Sequence, residues 1–421
     1  MQNAVISLFS GAMGLDLGLE QADFRVAVAL EIDRAAIETI RLNRPNLPII
    51  DKPIAEAPTD EILKKADLKA RDVAIVSGGP CCQSFSTVGR RRSISDPKGG
   101  LFLDFCRVVR EIRPRFFVME NVKGILSAAV RHRPLDLRGP GFPPLAPEEE
   151  LGSALKVILK ELAALRYYVV FGLLNAADFG VGQKRFRVIF MGSRDGEDIH
   201  LPKPTHADPA GRNGNRNGLP DWVTLRKTLR AVKPKEWIDF KEPRLELLRL
   251  VKPGQNWRHL PLELHEKALG GAFDSWGGRT GFCRRLAWDK TSPALTTAPD
   301  GRATTLCHPD EHRPLSVEEY AALQQFPKDW KFAGSVAQKY VQIGNAVPVG
   351  LGYSIGKMLR NVMRRRSRTG HIHLCRRGKV VCGDAGLEER LVNRKKTQLH
   401  PPRLRKNPDP EAAKEWLKAS A

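Results

Sequence analysis

The sequence contains no apolar run that approaches the length of a membrane span, so no membrane-spanning helix is expected. Its start, Met1-Gln2-Asn3-Ala4-Val5-Ile6, has no basic segment leading into a long apolar stretch, so no signal peptide is expected. Cysteine is sparse: seven residues, an odd number, scattered without a ladder of spacings. That argues against a disulfide framework and for free thiols in a reducing cytosol. His371, His373, Cys375 and Cys382 match no zinc spacing, so no metal site is expected. Acid is also in deficit. Against 69 Lys and Arg stand 47 Asp and Glu, a formal net charge of +22. Such an excess calls for a polyanionic partner, nucleic acid before membrane. General surface basicity is the plainer reading, and clustering of the charge counts against it. What remains is ample: 421 residues, 42% hydrophobic, enough for a sizeable core and two or three domains. There are no internal repeats.

One stretch organises the chain, Asp72 to Ser86. Val73 to Val76 is a β-branched apolar run, the signature of a buried strand. Gly78-Gly79-Pro80 ends it in a sharp turn that lets a ligand come close to the backbone. Two thiols follow, Cys81 and Cys82. The carboxyl end of a parallel strand is where open α/β sheets place their chemistry. Two small buried cysteines would look the same in isolation.

The rest is consistent with such a sheet. Residues 4 to 9 read as a strand, followed by a glycine loop, Ser10 to Gly14, and a helical start at Leu15. A loop of this kind before a helix N-terminus attracts a nucleotide-like ligand. The second strand, Arg25 to Asp33, ends in acid about 20 residues on, at a spacing suited to ribose hydroxyls. No phosphate-binding lysine is near, which points to S-adenosylmethionine as much as to NAD. Asp51 ends a possible third strand. Gly89 to Ser93 is a basic loop, and a helix is expected from Leu101 to Ile112. Arg115 to Val122 is a further strand, carrying Glu120 near its end. Residues 131 to 150 read as a loop insertion and 151 to 165 as a helix. Tyr167 to Leu174 and Arg187 to Met191 pair as strands. Arg185 and Arg187 alternate with Phe186, so both guanidinium groups fall on one side. Composition shifts after Leu201 to His206; mixed strands are expected from about 280 to 306. Ser316 and Glu319 form a capping box for a helix from Leu315 to Phe326. Tyr340 to Pro348 and an apolar helix to Leu359 follow. The tail from 361 to 421 holds sixteen Lys or Arg against six Asp or Glu, net +10, and is expected to be poorly ordered.

Five segments in this order, Phe9 to Gly14, Gly79 to Gln83, Glu120 to Val122, Gln183 to Arg187 and Gly344 to Pro348, resemble the motifs of DNA (cytosine-5) methyltransferases. The resemblance covers most of residues 1 to 360. It implies Cys82 as nucleophile, since Gln83 follows it directly, with Glu120 on ring nitrogen 3 and Arg185 and Arg187 positioning the site, Arg187 rather than Arg185 contacting the carbonyl at carbon 2. It implies S-adenosyl-L-methionine as cofactor, against Phe9, Ser10, Gly11, Gly14, Leu15, Glu31, Asp51, Pro80, Leu101 and Asn345. Gln83, Ser84, Ser86, Arg90, Arg91 and Arg92 would touch DNA, with the base flipped out of the duplex. Three residues depart from the family pattern: Cys81 for a second Pro, Met13 for a Gly, Gly182 for a Pro. Two adjacent thiols therefore compete for the nucleophile's role.

The expected fold is a Rossmann-like α/β methyltransferase with a mostly parallel sheet. Residues 1–205 form the catalytic and cofactor-binding domain, 206–335 a target-recognition domain reading the major groove, 336–360 a segment completing the catalytic domain, and 361–421 the basic tail. The expected activity is cytosine-5 methylation of a specific duplex sequence by a cytoplasmic, nucleoid-associated bacterial monomer. Protection against a cognate restriction endonuclease would follow. RNA cytosine-5 methylation and a non-catalytic DNA-binding relative are the alternatives. The first more often carries Thr-Cys-Pro, absent here; the second expects a lost Cys or Glu, and both are present. A NAD dehydrogenase is disfavoured by the imperfect glycine motif.

Overall fold

Five apolar runs marked as strands lie side by side and parallel. They are β1 (Ala4–Leu8), β2 (Arg25–Leu30), β3 (Ile49–Ile50), β4 (Val73–Gly78) and β5 (Phe116–Val122). The computed structural model describes residues 3–80, 100–134, 137–139, 141–211, 218–273, 280–369, 378–384 and 386–387, with side chains in the last long helix described to 365. Every residue of β1 and β4 is buried, as strands covered on both faces require. The remaining strands of this sheet are β6 (Tyr168–Asn175), β8 (Phe186–Ser193) and β10 (Val380–Cys382). β8 runs antiparallel between β5 and β6, and β10 pairs parallel with β6. The order across the sheet is β10-β6-β8-β5-β4-β1-β2-β3. Sequence direction therefore reverses between β1 and β4, which opens a crevice at their carboxyl ends, where such sheets bind ligands.

Adjacent residues of each strand feed opposite cores. Val5, Ala29, Val118 and Met191 join one cluster; Ile6, Val28, Phe117 and Phe190 join the other. The second face is covered by α3 (Thr59–Lys65), α4 (Gly100–Ile112) and α5 (Ser153–Ala164). On the first face lie α1 (Gly14–Gln21), α9 (Val317–Leu323), α10 (Val336–Asn345) and α11 (Val349–Thr369). α2 (Arg34–Asn43) is joined to α10 by Thr39, which donates to Gln342 at 2.6 Å. α11 comes back from the far end of the chain to lie on α1. A Cβ at Gly18 would sit 2.4 Å from the backbone of both Val349 and Tyr353, so only glycine allows this approach.

Between the sheet and α9 the chain makes α6 (Leu225–Leu229), α7 (Arg244–Arg249) and α8 (His265–Leu269) around a small core of Phe240, Leu247, Leu248, Val251, Cys283 and Cys307. The mixed strands expected over 280–306 are a correction. Among the described residues this stretch holds only β9 (Ser292–Pro293), paired with β7 (Gln183–Lys184), and isolated bridges. Its backbone pairs with separate loops instead: Phe282 O accepts from Trp257 N at 3.2 Å, Trp288 O from Arg226 N at 3.0 Å and Lys290 O from Leu225 N at 2.8 Å. Arg285 alone donates to the carbonyls of Leu248, Val251, His308 and Glu311. The described part of the tail, 361–369, 378–384 and 386–387, includes ordered elements. α11 runs on to Thr369, and β10 extends the sheet through Val169 N to Lys379 O (2.9 Å) and Gly383 N to Phe171 O (2.8 Å). The free edge of β6 supplies what the tail's own composition lacks.

Candidate active site

The loop between β1 and α1 turns through left-handed backbone at Phe9 (φ 57°), Gly11 (φ 52°) and Met13 (φ 67°). Gly11 pays nothing for this; Met13 does, and its wholly buried side chain anchors the loop in the core. The departure from glycine at 13 thus fills the interior rather than the loop's outer side. Above Gly11 the space is open, with no atom within 4 Å of a Cβ placed there. Glu31, at the end of β2, reaches across. Its Oε2 accepts from Gly11 N at 2.6 Å, and its Oε1 from Ile32 N and Asp33 N, both at 2.8 Å. Ile32 beside it is 61% exposed, an apolar face next to a held carboxylate. Ser10 and Phe9 are half-buried, Leu15 and Pro80 buried, and Leu101 half-buried at the start of α4. Asn345 is exposed at the end of α10, and the carbonyl of Val347 just beyond it lies against Gly14. Asp51 follows β3, is exposed, and pairs with Arg41 at 3.6 Å. An open loop, a buried hydroxyl acceptor and an apolar neighbour fit an adenosine-type group.

Across the crevice, β5 delivers Glu120. Its carboxylate pairs with Arg187 Nε from β8, and its Oε2 lies 2.9 Å from the Cβ position of Gly79. Asn121 Nδ2 donates to Pro80 O at 3.3 Å, so the turn after β4 is pinned to the end of β5. Burial pushes the Glu120 carboxyl above its ordinary value; Arg187, then Arg185, oppose this. Arg185 and Arg187 do fall on one side, with Phe186 on the other, but they do different things. Arg187 faces Glu120. Arg185 is buried and donates to Leu295 O at 2.9 Å and to Gly344 O. Burial, then the neighbouring Arg187 cation, disfavours its charge. Gly182 is where the chain passes α6: a Cβ there would meet Thr228 Oγ1 at 2.3 Å. Cys81, Cys82, Gln83, Ser84, Ser86, Arg90, Arg91 and Arg92 lie outside the described residues.

Two features escaped sequence reasoning. Asp16, on the buried face of α1, accepts from Ser7 Oγ at 2.9 Å beneath the glycine loop. Burial raises its pKa from 3.8 to about 7. An acid among Leu15, Leu17 and Leu19 was the available signal. The second is Gln324, wholly buried, which joins Gln183 to the end of α10.

Sheet order, glycine loop and crevice together define a Rossmann-like α/β methyltransferase. The model of the C-5 cytosine-specific DNA methylases matches residues 3–361, and the chain belongs to that family. It is a DNA cytosine-5 methyltransferase. The type II methyltransferase M.Sau96I of Staphylococcus aureus is 34% identical over 356 residues, covering 84% of this chain and 75% of that one. M.PspPI of a Psychrobacter species is 35% identical over 361 residues, covering 85% and 78%. Among solved structures, a DNA modification methyltransferase of an E. coli prophage has a TM-score of 0.57 at 24% identity, covering 86% of this chain and 99% of that one; this likeness bears on the fold.

Proposed function

We propose that this enzyme transfers the methyl group of S-adenosyl-L-methionine to carbon 5 of a cytosine flipped out of a specific duplex sequence. The observation that carries the reading is the buried Glu120–Arg187 pair against Gly79, the turn from which the chain passes to Cys81 and Cys82. Carbon 5 of cytosine is a poor nucleophile. The Cys82 thiolate adds to carbon 6, and Glu120 gives a proton to ring nitrogen 3 as electrons enter the ring. Arg187 holds the carboxyl in place and faces the carbonyl at carbon 2. Carbon 5 would then attack the methyl group of the bound cofactor, with the thioether as leaving group. Loss of the carbon 5 proton to solvent expels the Cys82 thiolate from carbon 6, and ring nitrogen 3 returns its proton to Glu120, restoring the ring. The cofactor, when bound, supplies an electrophilic methyl group. Phe9, Gly11, Glu31 and Asn345 would hold it, with Glu31 accepting from hydroxyls.

Residues 206–335 are proposed as the target-recognition part. The small core of Phe240, Leu248 and Cys307 supports a separate unit there. Contacts of Arg90, Arg91 and Arg92 with phosphates belong to the same proposal. The curated relatives are named type II methyltransferases, which supports a role in protecting DNA from a partner endonuclease. Among the described residues no helix is long and apolar enough to cross a membrane.

The test is transfer of labelled methyl to duplex DNA by wild type, Cys82→Ser and Cys81→Ser. Activity lost only with Cys82→Ser fixes the nucleophile. Wild type that binds cofactor yet leaves DNA unlabelled overturns the reading, and labelled RNA would redirect it.

A further inference from the structure

The two pockets are tied together by buried side-chain amides. Gln183 and Gln324 are both wholly buried. Gln324 Nε2 donates to the carbonyls of Ile343 (2.5 Å) and Ala346 (3.1 Å), so its oxygen must face the other way. It accepts there from Gln183 Nε2 at 2.7 Å. Gln183 Oε1 in turn accepts from Leu295 N at 3.2 Å, while Arg185 takes the carbonyl of the same residue. Arg185 also takes Gly344 O. The polarity of the whole chain of bonds is therefore fixed by the carbonyls at its far end. Ile343 O lies in the last turn of α10 and also accepts from the cap amide of Ala346 at 3.3 Å; Ala346 O lies just past the helix end, where carbonyls look outside the helix for a donor.

The connected elements are the ones that matter. At one end Arg185 stands beside the Glu120–Arg187 pair. At the other, the held segment continues through Asn345 to Val347, whose carbonyl rests on Gly14 in the glycine loop. Gln324 adds its own backbone oxygen, which accepts from Val349 N at 3.0 Å at the start of α11. We propose that Gln324 is a positioning residue through which occupancy of the cofactor pocket and occupancy of the target-base pocket are energetically coupled. This rests on the assignment of Asn345 to the cofactor and of Glu120 and Arg187 to the base. Shifting the end of α10 to meet one ligand moves Gly344 and Leu295, and with them Arg185, toward or away from the position the other ligand needs. Apolar packing of the same volume would hold α10 but would not fix its register on Arg185, because directional bonds carry the constraint. Coupling of this kind is reciprocal and commonly about 5- to 150-fold.

The experiment measures the dissociation constant of S-adenosylhomocysteine with and without an unmethylated duplex carrying the site mapped from the wild-type product, and of the duplex with and without S-adenosylhomocysteine. Wild type should show the same tightening, about tenfold, in both directions. Gln324→Met, close in volume but unable to donate, should bring that factor to within about twofold while each ligand alone binds within about threefold of wild type. Undiminished coupling in Gln324→Met, whatever its melting temperature, overturns the proposal. Should that variant fold poorly, hydrogen exchange on wild type decides. S-adenosylhomocysteine alone should protect the amide of Leu295, and an unchanged exchange rate there overturns the proposal. Wild type that transfers methyl but keeps its coupling in Gln324→Met defeats only the relay; wild type without transfer defeats the site assignment on which it stands.

Discussion

Glu120→Gln is the sharpest test of the chemistry. The side chain is buried, one oxygen is taken by Arg187, and the other lies over Gly79. An amide keeps that shape. It still accepts from Arg187 and still offers an N–H to ring nitrogen 3, so cofactor and base binding should persist. It has no proton to surrender. Loss of a positioned acid costs about 10²- to 10⁴-fold, or roughly 3–5 kcal/mol of barrier. Two guanidinium groups also lose their counter-charge, which should lower folding stability by about 1–3 kcal/mol, less than outright removal of a buried partner. The assay is single-turnover methyl transfer, read as kcat and KM separately. kcat should carry nearly all the loss. The pH profile adds a sign. Burial holds the wild-type carboxyl above its ordinary value, so the protonated form persists to higher pH than in an exposed glutamate and the rate falls as that proton leaves. Arg187 is the largest influence opposing the shift, so in Arg187→Leu the residual activity should lose its proton at higher pH. Glu120→Gln with kcat within tenfold of wild type would refute the assignment of the proton to Glu120.

Asp16→Asn should reveal the other buried carboxyl. Its pKa rises from 3.8 to about 7 on folding, so its favourable contribution is whole below about pH 4 and is lost as pH rises to about 7. The variant should melt higher than wild type at pH 8, by at most about 4 kcal/mol in stability, and the gap should close toward pH 4; a gap independent of pH refutes this. Gly18→Ala, which in a free helix gains about 1 kcal/mol, should instead lower the melting temperature by several degrees, since about 1–3 kcal/mol of overpacking outweighs it. A melting temperature at or above wild type would show that α1 and α11 can separate freely. A chain ended at Arg377 should lose, relative to wild type, at least the roughly 1.5–3 kcal/mol held by the buried side chain of Leu387. Equal melting of the two would show that β10 contributes nothing.

What the sequence disclosed and what it hid divide along a physical line. β1, β2, β4 and β5 were legible because a strand buried on both faces must be a short apolar run, whatever it later packs against. The helix capped by Ser316 was legible because its cap is local: Ser316 Oγ accepts from Glu319 N at 3.2 Å, three residues away. β10 was not, since three residues in a basic tail become a strand only when the edge of β6 is beside them. The stretch 280–306 misled for the opposite reason. Its backbone pairs one bond at a time with distant loops, and Arg285 ties it to the carbonyls of Leu248 and Val251, a solution with no periodicity to read. The site follows the same division. Glu120 is announced by its place at the end of an apolar run, whereas the partners of Arg185 are carbonyls more than a hundred residues distant, which no local pattern records. Two arginines at alternate positions fall on one side in the sequence, and the resemblance favours Arg187 for the base; Arg187 meets the carboxylate and Arg185 meets the backbone. Residues that touch a ligand are thus announced by the elements that present them, while the residues that place those elements become visible only with the fold. Gln324, the residue that ends α9, belongs to the second kind, and that nothing in its local sequence marks it is what the distinction predicts.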